Sequence, residues 1–186
     1  QNESGYDMEA ISRDEKYLAL SKPINTNDSD LFLFNVSEGS LTQINEHPSG
    51  NSAQDFTPDG SGLLYTTDDG SEFAYLMKYN IAEGNREKVM ERDWDITGSS
   101  FTENGTYQVT YINEDAKNTI EVVEVATGQP LELPSLDGMD ITSVGFSRDE
   151  SNMRFYAGGS NSPSNLFVYD LSSRQVRQLS DVLNPE

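Results

Sequence analysis

Phe56-Thr57-Pro58-Asp59-Gly60 has the residue types of a strand running into a tight turn, and the same pattern occurs three more times in the chain. Ile11-Ser12-Arg13-Asp14-Glu15 precedes it, and Phe101-Thr102-Glu103-Asn104-Gly105 and Phe146-Ser147-Arg148-Asp149-Glu150 follow. The four copies begin at residues 11, 56, 101 and 146, a constant spacing of 45. Each reads large apolar, hydroxyl, variable, Asp or Asn, then Gly or Glu, so that a short polar side chain can cap its own backbone as the chain reverses. A fixed period of 20–50 residues is the signature of repeat architecture and outweighs local propensity.

Outward from the turn, every unit continues in the same way. Tyr17 to Leu20, Leu63 to Thr66, Tyr107 to Tyr111 and Arg154 to Ala157 are short runs of β-formers that predict second strands. Third strands are predicted at Leu31 to Val36, Ala74 to Ile81, Ile120 to Val125 and Leu166 to Leu171, and more polar fourth strands at Leu41 to Ile44, Glu87 to Met90, Pro130 to Leu133 and Val176 to Leu179. Apolar residues fall in short runs or at alternate positions, never at helical spacing. Four strands per 45 residues is a propeller blade. The predicted fold is all-β, a β-propeller of four four-stranded antiparallel blades at about 6–47, 52–91, 97–134 and 141–181. Within one domain over 1–186, these form part of a larger propeller.

Composition limits the function. The 186 residues hold 12 Lys and Arg against 32 Asp and Glu, a net charge of −20. Nucleic acid is bound through phosphate neutralisation by basic residues, so it is excluded as a partner, and an anionic membrane surface is repelled in the same way. The longest apolar run, Leu31-Phe32-Leu33-Phe34, falls far short of a membrane span, so no membrane insertion is expected. With no Cys there is no disulfide, thiolate nucleophile or Cys-based zinc site, and no cofactor is predicted. The chain opens at Gln1 with no signal-type segment, which suggests removal of a targeting segment or excision from something longer.

Phe56 to Gly60, followed by Leu-Leu-Tyr-Thr-Thr-Asp-Asp-Gly at 63–70 and a strand ending Tyr79-Asn80-Ile81, resembles the WD40-like repeat of bacterial propellers. That repeat is shared by TolB-type propellers and by the non-catalytic propellers of the prolyl oligopeptidase family of serine peptidases. The departures are Arg13, Glu103 and Arg148 in place of Pro, and Glu15 and Glu150 in place of Gly. The resemblance implies a propeller that covers an α/β-hydrolase site and gates or positions peptide substrate. It also implies a periplasmic or secreted location. The hydrolase itself would lie outside this chain, because a nucleophile elbow needs Gly-x-Ser-x-Gly with a later His. Gly158-Gly159-Ser160-Asn161-Ser162 lacks the second Gly, and the sole His is His47. Two alternatives stand beside this reading: a TolB-like protein-interaction module of the bacterial envelope, and a propeller lyase or glycosidase whose acids converge on a metal or sugar.

Blade topology places the tight turns on one face and the longer connections on the other. The longer ones are predicted at 22–30, 68–72, 113–118 and 158–165 within blades, and at 45–54, 91–99 and 134–142 between them. They carry thirteen acids against three bases, half the net charge. Either that face meets cations or a basic partner, or its acids are solvated loop residues. The residues singled out there as a ligand or partner face are His47, Asp68, Asp69, Asp93, Trp94, Asp95 and Asp115. Asp68-Asp69-Gly70-Ser71-Glu72 lacks the alternating ligand spacing of a calcium loop and reads as a hairpin tip. His47 reads as a surface residue. Trp94 is either a ligand or interface anchor or a plug between the second and third blades. Asp14, Asp59, Asn104 and Asp149 read as structural turn-formers. The Asn-x-Ser/Thr strings at Asn2, Asn27, Asn35 and Asn104 are expected by chance. Four blades alone would leave strand edges and apolar faces uncovered, so self-association is expected, or completion by missing blades and a hydrolase domain.

Overall fold

The computed structural model describes residues 4–160 and 162–182. The chain is all-β. Its fifteen strands are β1 (Asp7–Ile11), β2 (Tyr17–Pro23), β3 (Ser29–Asn35), β4 (Ser40–Gln43), β5 (Ser52–Phe56), β6 (Gly62–Thr67), β7 (Tyr75–Asn80), β8 (Arg86–Met90), β9 (Asp95–Phe101), β10 (Tyr107–Glu114), β11 (Lys117–Glu124), β12 (Asp140–Phe146), β13 (Asn152–Gly159), β14 (Ser162–Asp170) and β15 (Gln175–Gln178). They form four sheets in the orders β1-β2-β3-β4, β5-β6-β7-β8, β11-β10-β9 and β12-β13-β14-β15. Neighbouring strands such as β1 and β2, β6 and β7, β10 and β11, and β13 and β14 pair antiparallel, the form of a propeller blade.

The third sheet departs from the predicted four strands. Residues 130–133 contribute a single bridge, Val123 to Pro130, flanked by Glu124 N donating to Gln129 O and Leu131 N to Val122 O. Leu131 and Leu133 then pack against the core, and Pro134 has no amide with which to extend a ladder.

The 45-residue turn has one construction throughout. The amide of Ser12, Thr57, Thr102 or Ser147 donates to the carbonyl of Tyr17, Gly62, Tyr107 or Asn152, at 2.9 Å each time. The hydroxyl of the same residue accepts the returning amide of that partner at 2.9–3.1 Å. Asp14, Asp59 and Asp149 in turn accept the hydroxyl proton at 2.8, 2.6 and 2.6 Å. The fifth residue is left-handed in all four copies: Glu15 at φ 58°, Gly60 at 71°, Gly105 at 74° and Glu150 at 56°.

The chain divides into two compact units, Gln1–Ser100 and Phe101–Glu186. In the first, Leu31, Ile44, Phe56 and Leu63 are fully buried between the first two sheets, with Tyr65 and Tyr79 beside them. In the second, Met153 and Phe155 are fully buried and Phe155 stacks on Phe167 at 5.2 Å. Side chains also join sheet to sheet within each unit. Glu9, at a bulge in β1, accepts the Ala53 amide of β5 at 2.5 Å, and Gln54, at a bulge in β5, accepts the Ser99 amide of β9 at 3.1 Å. A bulge frees the opposing groups from the ladder, and these side chains satisfy them. In the second unit the Glu150 carboxylate accepts the Asn104 amide at 2.7 Å, while Asn104 Nδ2 donates to Arg148 O at 3.1 Å.

Candidate functional site

The predicted site residues do not form one cluster. His47, in the β4–β5 connection, and Asp68 and Asp69, after β6, come together. His47 Nδ1 lies 3.0 Å from Asp69 Oδ2, and Asp68 Oδ1 accepts the Gly50 amide at 2.7 Å. Both acids thus hold the loop after β6 against the preceding connection. Gly70, at φ 69°, and the Ser71 N to Asp68 O bond make Asp68 to Ser71 a tight turn. The hydrogen bond and charge of Asp69 raise the His47 pKa above its usual value.

Asp95 opens β9, and its Oδ1 accepts the Ala74 amide at 2.9 Å, so this acid is committed to the backbone. Asp93 is exposed. The Trp94 indole is 37% exposed and lies 5.9 Å from the Phe73 ring, a partner supplied by the loop after β6. Asp115 belongs to the second unit. There the predicted long connections at 113–118 and 158–165 are corrected. β10 runs through Glu114 and β11 begins at Lys117, leaving Asp115 and Ala116, both left-handed at φ 49° and 62°, as a two-residue hairpin turn. β13 runs through Gly158 and Gly159, and Gly159 pairs with Ser162. Asn161 and Asn2 lie outside the described residues. Asp30, Glu114 and Asp140 are also in strands.

Sequence reasoning missed the pocket beside the His47–Asp69 pair. It has a volume of about 250 Å³ and is lined by Glu46, Asn51, Tyr65, Asp69, Tyr75 and Arg86 among others. Arg86, first residue of β8, reaches back across the first unit. Its Nη1 donates to Ile44 O at 3.0 Å and its Nη2 pairs with Glu46. Tyr75 donates its hydroxyl to Asp69 O at 2.9 Å, and Lys88 Nζ sits 4.1 Å from the centre of its ring. Asn51 donates to Ser29 O and His47 O, fixing the wall. Tyr65 is 3% exposed, and burial pushes its hydroxyl up to about 12. The partners are 40 and 42 residues apart and meet through sheet stacking, which leaves no local signal in the sequence.

A larger opening of about 580 Å³ in the second unit is lined by Lys117, Thr119, Asp140, Gly159, Ser160 and Ser164 among others. Of these two openings the smaller is the candidate, because it combines ion pairs with the hydroxyl of a buried tyrosine. Among the described residues no three His, Asp or Glu side chains are grouped to hold a metal ion.

The family description "Prolyl oligopeptidase, N-terminal beta-propeller domain" matches residues 4–182. The chain belongs to that family. Among solved structures it is similar to TolB from Acinetobacter baumannii, with 16% identity and a TM-score of 0.66, covering 92% of this chain and 42% of that one. It is also similar to a prolyl endopeptidase from a structural and mechanistic study of two such enzymes, with 14% identity and a TM-score of 0.74 over 94% of this chain and 26% of the other. A TolB-related protein from Agrobacterium tumefaciens gives 15%, 0.63, 90% and 62%. At these identities the likeness is one of fold. The prolyl oligopeptidase-family propeller described here therefore spans less than two thirds of each of these proteins. No curated protein matches the sequence.

Proposed function

We propose that the chain is the non-catalytic propeller of a prolyl oligopeptidase-like serine peptidase, where it gates or positions peptide substrate for a hydrolase carried elsewhere in the protein. The supporting observation is the family match over residues 4–182, in a chain whose only His is an exposed residue paired to Asp69 rather than to a serine. A triad requires a His in reach of its nucleophile, so the chemistry is assigned outside these residues. A periplasmic or secreted location belongs to the same proposal. The test is hydrolysis by the intact gene product of a short proline-containing peptide and of the same sequence embedded in a long unfolded chain. Cleavage of the short form alone supports gating; equal cleavage of both contradicts it.

The second reading is a TolB-like interaction module without a hydrolase, favoured by the TM-scores of 0.66 and 0.63 to the two TolB structures. It predicts protein binding and no hydrolysis. The lyase or glycosidase reading needs acids gathered around a metal or sugar, and the Asp68, Asp69 and Asp95 carboxylates are instead engaged by Gly50, His47 and Ala74.

A further inference from the structure

We propose that the pocket between the β4–β5 connection and the second sheet is a carboxylate-binding site, with Arg86 and Tyr65 as its donors and a peptide carboxylate as its ligand. The inference rests on the reading of the propeller as a peptide-contacting domain, and it follows from counting unspent hydrogen-bonding groups. Arg86 has five N–H donors and uses two, on Ile44 O and Glu46, so three have no protein acceptor among the described residues. Tyr65 is almost wholly buried, lines the pocket, and its hydroxyl makes no hydrogen bond among the described residues. The groups acting on that hydroxyl are Arg86, Tyr75, Glu46 and Asp69, all of which line the same pocket. The Tyr65 ring is buried while its hydroxyl borders the pocket, where an acceptor on a ligand can take the hydrogen bond that no protein group among the described residues takes.

A cation would find both pocket acids already engaged, Glu46 by Arg86 and Asp69 by His47, and would face Arg86 itself. A planar carboxylate matches the guanidinium fork and accepts from Tyr65 at the same time. A phosphate dianion would meet stronger repulsion from Glu46 and Asp69 at the rim. Glu46 is 62% exposed at its side chain, so it can swing into solvent as the ligand takes its place on Nη2.

The test is a titration of the 186-residue chain with N-acetylalanine and with N-acetylalaninamide, followed by amide and Arg Nε–H chemical shifts. The acid is expected to shift Gly50, Asn51, residues 65–69 and the Arg86 Nε–H saturably, and the amide to shift them at least about tenfold less. Tyr65→Phe is expected to weaken the acid about tenfold while the rest of the spectrum is unchanged, and Arg86→Gln to abolish the effect. Glu46→Gln is expected to strengthen it. Equal response to acid and amide, no saturation up to the solubility limit of the probe, or unchanged affinity in Tyr65→Phe overturns the assignment. Amidated peptides carrying Asp or Asn, set against a neutral peptide with a free C-terminus, then separate a side-chain carboxylate from a chain end. Peptide binding that ignores the carboxylate overturns this inference and leaves the peptide-contacting reading standing. Binding of the acid probe with no binding of any peptide does the reverse.

Discussion

Replacing Glu15 and Glu150 separately by Gly should move stability in opposite directions, although both residues occupy the same position of the repeated turn. Both hold a left-handed backbone, at φ 58° and 56°, which costs a side-chain-bearing residue about 1–2 kcal/mol. Glycine removes that strain and returns about 0.5–1 kcal/mol of it as unfolded-chain entropy. Glu15 is exposed, so Glu15→Gly should stabilise by about 0.5–1 kcal/mol. Glu150 is only 7% exposed. Burial opposes its charge, yet hydrogen bonds from the Thr102 and Thr106 hydroxyls and the Asn104 and Thr106 amides outweigh that and hold its pKa below the usual value. The Oε2 atom of Glu150 is buried without a partner, which offsets part of that stabilisation. A hydrogen bond to a charged group is worth about 1.5–3 kcal/mol, so losing this set should still exceed the relieved strain and leave Glu150→Gly about 1 kcal/mol less stable.

Urea denaturation must be followed by two probes. Trp94 is the sole Trp and reports on the first unit, whereas Glu150 lies in the second, which is followed by circular dichroism and amide exchange. The Asn104 amide, which donates to Glu150 at 2.7 Å, should exchange faster in Glu150→Gly and be unaffected in Glu15→Gly. If both variants gain stability, or the Asn104 amide exchanges at the same rate in each, the carboxylate does not join the third and fourth sheets and the reasoning fails.

Other consequences can be checked with simpler measurements. Hydrogen bonds to Asp14 from Lys16 and Ser12, to Asp59 from Thr57 and Ser61, and to Asp170 from Ser172 and Ser173 bring each pKa down to about 2, and Ser147 and Ser151 lower that of Asp149. The folded values lie below the unfolded value of about 4, so this stabilisation is complete above about pH 4 and is lost as pH falls towards 2; Tm against pH should fall steeply there and less so in Asp59→Asn. The raised His47 value carries the opposite sign: its contribution is complete below about pH 6.5 and is lost as pH rises through the folded value, and Asp69→Asn should bring the imidazole titration, read by NMR, back towards 6.5. Phe73→Ala should increase acrylamide quenching of Trp94 by removing the ring that shields one side of the indole. Light scattering should give a mass above 20.7 kDa, because Met8 and Ile11 on β1 and Val176 on β15 are exposed at sheet edges; a monodisperse monomer would contradict self-association.

The turns were legible because the period is strict and the chemistry local: hydroxyl, Asp and left-handed residue lie within five positions of one another. A second set with the same period is harder to see. Asn35, Asn80 and Asp170 each accept two amides of the third-to-fourth strand turn, while the third copy shifts by one residue to Glu124 and breaks the alignment. The hairpin at Asp115-Ala116 reads as a longer loop because Glu-Asp-Ala-Lys lacks the Asn-Gly or Asp-Gly that usually supplies two left-handed residues. Pro130 to Leu133 reads as a strand, but Pro130 and Pro134 lack amides for a ladder and Leu131 and Leu133 pack, half-buried, against the core. The pocket was the least legible feature. Arg86 and Glu46, and His47 and Asp69, become neighbours only through the stacking of two sheets, and charge alone marked His47 and Asp69 but passed over Arg86 and Tyr65.

The assignment to a serine peptidase is tested most directly by labelling the intact gene product with a fluorophosphonate and locating the label by mass spectrometry. The account predicts one labelled serine, within Gly-x-Ser-x-Gly and outside residues 1–186. A label on a serine within these residues, or no label at all, would contradict it.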